Sequence, residues 1–463
     1  RPAGVRHPAR AENQVVTMSG LKIGVAEVDF TPPPGLPLMG HVRDDYAARG
    51  THDPLRARAL VVANAAGARA ALLTLDLCML NRKQARMMRE HIAAHSTLAP
   101  EDILIAATHT HGGPAAVSLY QTPAASDAEV ESFLTRAAEA AIAADRKVQP
   151  AALQVGHASE LSLSFNRRLR CRDGKTHMNW EELPPGFVLD CLGPVDPEVC
   201  VLTVEDGQAP AAGLVNFAQH AAILDYENWL YTADYIGYLD EALRKIVRED
   251  FTTLFFNGCC ANVNHIDYSD PSSPRRGYPT AQRMGYVLAA SVAGAIRSRE
   301  PVEGDTIGVS RELVELERFR ISDSLYEEAK RFLATGEQDK PAGMDGLDFK
   351  HGAPLWVSMR EQQQAVDKVE VMALRIGSVG VVALPGEVFC ETGMAIKRAS
   401  PAEHTIVIEL ANDAVGYLPT REAYEQGGYE VTPGATTYAP GCAEKLAESA
   451  LRQLKVLFRE AGE

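Results

Sequence analysis

Apolar runs of strand length alternate with amphipathic, helix-like segments along the whole chain, and this alternation restricts the fold more than any other feature. Ala70–Leu80 is a long apolar run with one charge, Asp76; Asn81–His95 follows as a helix candidate and Ile103–Ala107 as the next strand. Between Asp127 and Lys147, the residues Val130, Phe133, Leu134, Ala137, Ala141 and Ile142 recur at helical spacing, with Ser126 or Asp127 placed to cap the start. Further strands are expected at Ala152–Gly156, Val199–Val204, Gly213–Phe217, Thr252–Phe256, Ile307–Leu316 and His404–Leu410. Val369–Ile376 and Val379–Leu384 meet at Gly377-Ser378 as a hairpin. Helices are expected at Tyr238–Glu249, Thr280–Arg297, Asp323–Thr335 and Ala443–Arg459. The order is mixed and no boundary interrupts it. It predicts an α/β fold, mixed β-sheets flanked by helices in a single large domain, with room for two packed sheets. No internal repeat is evident, and Thr335–Gly352, rich in Gly, Asp and Lys, is the segment of weakest expected order.

Composition narrows the partners. The 463 residues can bury a large core without staples. A formal charge of -15, with 46 basic against 61 acidic side chains, argues against nucleic acid and against anionic membrane surfaces. No apolar stretch reaches 18 residues, so no stable membrane insertion is expected. The eight cysteines form no CxxC pair, and several sit in apolar runs as buried thiols, which favours a reducing compartment. Residues 1–17 have no apolar core and read as a leader or appended segment, with the folded domain over 18–463 and a cytoplasmic location. A signal removed upstream of Arg1 would instead make the protein secreted or periplasmic. The oligomeric state stays open.

The chemistry concentrates where Ile103–Ala107 runs into Thr108-His109-Thr110-His111-Gly112-Gly113-Pro114. Alternate strand residues share a face, so both imidazoles can reach one point beyond the strand's end. Two nitrogen donors begin a zinc or iron site, and a catalytic zinc needs at least three protein ligands. Two more donors follow apolar runs: His220 after Gly213–Phe217, and Glu387 in Leu384-Pro385-Gly386-Glu387. Ligands of open α/β sheets collect outside strand ends, which makes the set coherent. Plain hydrogen-bonded histidines and a solvated loop carboxylate are the alternative readings.

These residues resemble the catalytic domain of the neutral/alkaline, non-lysosomal ceramidases. Gly50-Thr51-His52-Asp53-Pro54-Leu55-Arg56-Ala57-Arg58-Ala59 is similar to that family's Gly-x-His-x-x-Leu-x-Ala-Arg-Ala, and Thr74-Leu75-Asp76-Leu77 to its buried strand. Thr108 to Pro114 is similar to its Thr-His-Thr-His-Ser-Gly-Pro, with Gly112 in place of serine. Asn166-Arg167, the stretch from Phe217 to His220, Ala233 to Tyr238, and Pro385-Gly386-Glu387 match in the same order. So do Tyr417 to Tyr424, Tyr429-Glu430 and Thr437-Tyr438. Cys260 to His265 departs from the family's acidic stretch, and the spacer from Tyr429 to Tyr438 is longer.

The resemblance implies one Zn²⁺ held by His109, His220, Glu387 and Tyr424, with a water on its open side. His111 acts as general base and then acid, and Arg167 and Tyr438 point at the carbonyl oxygen. Zinc brings the pKa of bound water toward ~7 and polarises a carbonyl; an imidazole taking the remaining proton contributes roughly 10²–10⁴-fold. Asp76 is read either as a carboxylate orienting a ligand histidine or as a structural group in its strand. The expected activity is hydrolysis of a linear amide, a small N-acyl amide by preference. The alternatives are a zinc esterase or lactonase, a true ceramidase acting on N-acylsphingosine, and a non-catalytic binding protein with the same fold.

Overall fold

One order of elements recurs three times: a strand, a strand hairpin, a helix, a strand parallel to the hairpin's second arm, and a closing helix. The computed structural model describes residues 20–459 apart from 44, 120, 121, 208, 271, 337–348 and 363. The leader expected over 1–17 and most of the Thr335–Gly352 segment lie outside the described residues. The first unit comprises β1 (Lys22–Asp29), β2 (Arg56–Ala63), β3 (Arg69–Leu75), α1 (Arg82–His95), β4 (Ile103–Ala107) and α2 (Asp127–Arg146). The second comprises β5 (Ala152–Ser159), β6 (Glu198–Glu205), β7 (Pro210–Phe217), α3 (Tyr235–Ile246), β8 (Thr252–Asn257) and α4 (Tyr278–Arg297). In the third, β9 (Ile307–Glu317) is separated from β10 (Val366–Ile376) by α5 (Asp323–Thr335) and α6 (Phe349–Glu361); β11 (Val379–Ala383), α7 (Cys390–Ala399), β12 (His404–Ile408) and α8 (Cys442–Leu457) complete it.

Within each unit the first three strands pair antiparallel and the last pairs parallel with the third, as in β3 with β4, β7 with β8, and β11 with β12. The parallel step needs a crossover, and α1, α3 and α7 supply it. Two-residue edges, Gln149–Pro150 and Glu300–Pro301, extend the first two sheets. Three main sheets therefore form, one more than the two packed sheets for which the sequence leaves room. The repeat is one of topology, which side-chain identities do not reveal.

A glycine on the first strand marks the recurrence physically. A Cβ on Gly24 would meet Ala144 O at 2.0 Å, and one on Gly156 would meet Ala295 O at 2.1 Å, so α2 and α4 lay their backbones directly on those strands. Gly308 faces Leu457 of α8 in the same way, at 3.0 Å from its Cδ2.

Alternation along each strand assigns the layers. On β2, Ala57, Ala59 and Val61 face α1 and α2, while Leu60 and Val62 face a core shared by all three sheets. That core draws Leu72 and Leu104 from the first unit, Leu202 and Leu254 from the second, and Leu374 and Ile406 from the third. Each such side chain contributes about 1.5–3 kcal/mol by leaving water. Helix starts follow local chemistry: Asn81 with Gln84, and Ser126 with Glu129, form reciprocal capping boxes. Helix α6 was not expected, because Gly352 and Pro354 break its helical signal; it forms because Trp356 and Phe349 bury together in a small separate core.

Candidate active site

The two histidines after β4 meet by a sharp turn, not by strand alternation. Thr108 and His109 still donate their amides to Leu75 O and Leu77 O, but His109 sits at φ 66°, in the left-handed region. A non-glycine residue there costs of order 1–3 kcal/mol and persists only where its surroundings enforce it. The turn brings His109 Nε2 to 3.5 Å from His111 Nε2. Gly112 is dictated locally, since a Cβ there would meet Thr232 Cγ2 at 2.5 Å.

His220 follows β7 and Glu387 follows β11. Glu387 Oε2 lies 3.4 Å from His109 Nε2 and 3.4 Å from His220 Nε2, and all three side chains are buried. The far sides of the rings fix their protons. His109 Nδ1 is 3.0 Å from Cys78 O and His220 Nδ1 is 2.9 Å from Cys260 O. Carbonyls only accept, so each Nδ1 carries the hydrogen and each Nε2 presents a lone pair. Glu387 Oε2 is buried with no hydrogen-bond partner. With both rings neutral, three acceptor atoms face one point, the arrangement a cation satisfies. Donors on a tetrahedral zinc, at about 2.0–2.1 Å from the ion, stand about 3.3 Å apart, so the observed spacing fits. Burial opposes the charge on Glu387, but His109 and His220 hold its pKa well below the carboxylate range. Against its own burial, His109 is raised by Cys78 and Glu387, while burial and Arg167 push His220 down to about 4. A cation would take the place of the His109 proton.

Beneath these three side chains lies Glu409, fully buried just after β12. It accepts from Val388 N at 2.8 Å and Cys260 N at 3.2 Å, which ties the segment of Glu387 to the carbonyl that orients His220. Burial pushes its pKa up to about 7.

His111 stands outside that triad but beside it. Its Nδ1 is 3.3 Å from His41 Nε2, and Gly40 packs flat on its ring. Burial, with His41 and His109 adjoining, holds it well below the ordinary histidine range, so the ring is neutral at pH 7. A second group, Cys78, His109 and His111, also clusters. It would need a nitrogen that His109 already commits, since Cys78 Sγ approaches Nδ1 at 3.6 Å. Arg167 donates from Nε to Glu430 at 2.7 Å and Arg168 to the other oxygen at 2.8 Å, so one buried carboxylate anchors two guanidiniums. Arg167 Nη1 is 3.4 Å from His220 Nε2, and its buried Nη2 has no partner.

Of the seven expected site residues the structure gathers His109, His111, Arg167, His220 and Glu387; Tyr438 lines the cavity of His109 and Glu387, but its hydroxyl and that of Tyr424 are bonded to other groups. Tyr424 donates to Tyr438 O at 2.7 Å, with Thr436 and Cys442 as its other neighbours. The Tyr438 hydroxyl turns to Asp367 at 3.3 Å. Beside the triad is Tyr417 instead, because residues 387–388 pair in parallel with 417–418, in the register Glu387 to Tyr417. Tyr429 packs against it with ring centroids 5.5 Å apart. The tyrosine spacing alone gave no means of choosing among them. Asp76 is structural: it binds Arg58 Nη1 at 3.2 Å and Arg56 N at 2.8 Å and touches no histidine. Burial raises it to about 6.

Two adjoining cavities of about 430 Å³ each share His111, Tyr417 and Tyr429. One includes His109 and Glu387 with Met79, Val117, Leu119 and Val415; the other includes His220 and Arg167 with Trp180, Tyr226 and Arg275.

The fold and site define a mixed α/β protein with a His-His-carboxylate centre at the meeting point of three sheets. Residues 21–278 match the pattern of "neutral/alkaline non-lysosomal ceramidase, N-terminal", and this chain belongs to that family. The neutral ceramidase of Pseudomonas aeruginosa is 23% identical over 496 aligned positions, covering 94% of this chain and 71% of that protein. Neutral ceramidase A of Dictyostelium discoideum is 26% identical over 230 residues, 48% of this chain but only 31% of the relative. The crystal structure of the Pseudomonas aeruginosa neutral ceramidase superposes with a TM-score of 0.74 at 19% identity, over 96% of this chain and 76% of that one. Among the described residues no helix is long and apolar enough to cross a membrane.

Proposed function

We propose that this chain is a zinc-dependent hydrolase of linear amides, a reading carried by the three lone-pair donors of His109, His220 and Glu387 converging beside His111. These three side chains would hold the ion, with the Tyr417 hydroxyl as fourth ligand in the role first expected of Tyr424. Bound zinc supplies a Lewis acid for the amide carbonyl and makes a water easier to deprotonate. The neutral His111 ring takes a proton from the attacking water and returns it to the departing nitrogen. Arg167, locked through Nε by Glu430, donates from its unpartnered Nη2 to the developing oxyanion, a contribution of about 3–4 kcal/mol for a well-placed donor. Tyr429 offers a second donor, the part first expected of Tyr438. Water's oxygen bonds the carbonyl carbon first, and the C–N bond then breaks as the nitrogen takes its proton from His111, giving a carboxylate and an amine. A cytoplasmic location belongs to this proposal, supported by eight unpaired cysteines.

The same site serves a true ceramidase, and family membership favours that as the second reading. Metal analysis with two substitutions tests the core. His109→Ala should lose zinc, whereas His111→Ala should keep zinc and lose turnover by about 10²–10⁴-fold. Loss of metal in both makes His111 a ligand. Matched amides and esters, with ceramide included, fix the bond: turnover of esters alone ends the amidase reading.

A further inference from the structure

The cavity beyond His111 contains a second guanidinium that the hydrolytic chemistry does not use. Arg275 is half-buried in its lining, and no carboxylate or other hydrogen-bond acceptor among the described residues takes its side chain. Its neighbour differs: Arg276 pairs with Asp225 at 2.6 Å and lies against Tyr226. His265 lines the same lobe. Its Nε2 is 2.5 Å from the carbonyl of Arg275 and donates to it, so its Nδ1 is an acceptor, buried and unpartnered. Burial pushes His265 down to about 4, which keeps that ring neutral. Among the described residues the lobe thus presents an uncommitted guanidinium and an uncommitted lone pair, and Trp180 and Tyr226 also line it. The apolar walls, Met79, Val117, Leu119 and Val415, lie in the other cavity.

We propose that the substrate is an N-acyl amino acid: its acyl chain lies along the apolar cavity, and the carboxylate of its amine half pairs with Arg275. This deepens the amidase reading and rests on it. Hydrolysis then consumes one water, breaks the C–N bond, and releases a fatty carboxylate and a free amino acid whose new ammonium takes up the proton. His265 Nδ1 accepts from a donor on the amine half. Guanidinium–carboxylate recognition is bidentate and charge-assisted, and losing one such contact lowers affinity by about 10- to 100-fold.

The zinc-loaded enzyme is assayed with N-octanoylglycine and its neutral isostere N-octanoylglycinamide. The wild type should favour the acid in kcat/KM. Arg275→Gln should lower the acid-to-amide ratio by about 10- to 100-fold, mainly through KM, and Arg275→Lys should recover part of it. In parallel, calorimetry on zinc-loaded His111→Ala measures N-octanoylglycine binding with and without Arg275→Gln. The second substitution should weaken binding by a similar factor, and added salt should weaken it in the Arg275 background only. Equal ratios and equal affinities with and without Arg275 overturn the proposal and leave the amidase reading standing. If neither compound is hydrolysed, the amidase reading fails, and the calorimetric difference alone decides the role of Arg275.

Discussion

Replacing Tyr417 or Tyr424 by phenylalanine separates two hydroxyls that sequence spacing could not. Tyr417 pairs across the backbone from Glu387, so Tyr417→Phe should weaken zinc binding tenfold or more in a titration of metal-free protein. Tyr424→Phe removes its bond to Tyr438 O and its contacts with Thr436 and Cys442, costs about 1 kcal/mol of stability and leaves zinc affinity intact. The reverse result would return the ligand role to Tyr424. Histidines and a carboxylate at strand ends were legible because those residue types have few other reasons to sit there. Tyrosines were not legible, since a phenol packs as readily as it ligates.

At the level of elements, the docking of α2 on β1 and of α4 on β5 relies on the missing side chain of a glycine. Gly24→Ala and Gly156→Ala drive a methyl into helix backbone and should each destabilise by about 1–3 kcal/mol in urea denaturation. Gly308→Ala meets only the end of Leu457 and should cost much less. Glu409 joins the segments after β8 and β11, and its pKa of about 7 exceeds the ordinary carboxylate value. Between about pH 5 and 7 the folded chain keeps a proton there that the unfolded chain has released. Stability from this group therefore falls as pH rises through that window, by on the order of 3 kcal/mol. Zinc-free Glu409→Gln should show a flatter stability profile than the wild type between pH 5 and 7.5; parallel profiles would remove Glu409 as the titrating group. Strand and helix positions followed hydrophobic period closely, as for Ile103–Ala107 and Asp323–Thr335. Helix α7 gave no such signal, because it is short and its burial is decided by α8 and the sheet below.

Across the whole molecule the three units should unfold as one cooperative body. Their inner faces share a single core, and each contributes one donor to the centre: His109 from the first, His220 from the second, Glu387 from the third. Metal should therefore stabilise all three together. Calorimetry should show one transition that moves upward with zinc, by about 2.7 kcal/mol at a concentration a hundred times Kd. Separate transitions, or a shift confined to part of the unfolding, would mean that the units unfold independently.

The sequence by itself determined the α/β class, most element positions and the family, together with four histidine and carboxylate groups at strand ends. Those follow from local period, capping and residue chemistry, which act over a few positions. Tertiary structure alone decided the threefold recurrence, the tyrosine beside Glu387, the anchoring of Arg167 by Glu430 and the Arg275 guanidinium that finds no partner among the described residues. Each joins residues far apart in the chain, and no local pattern encodes which distant backbone carbonyl or carboxylate a side chain will meet.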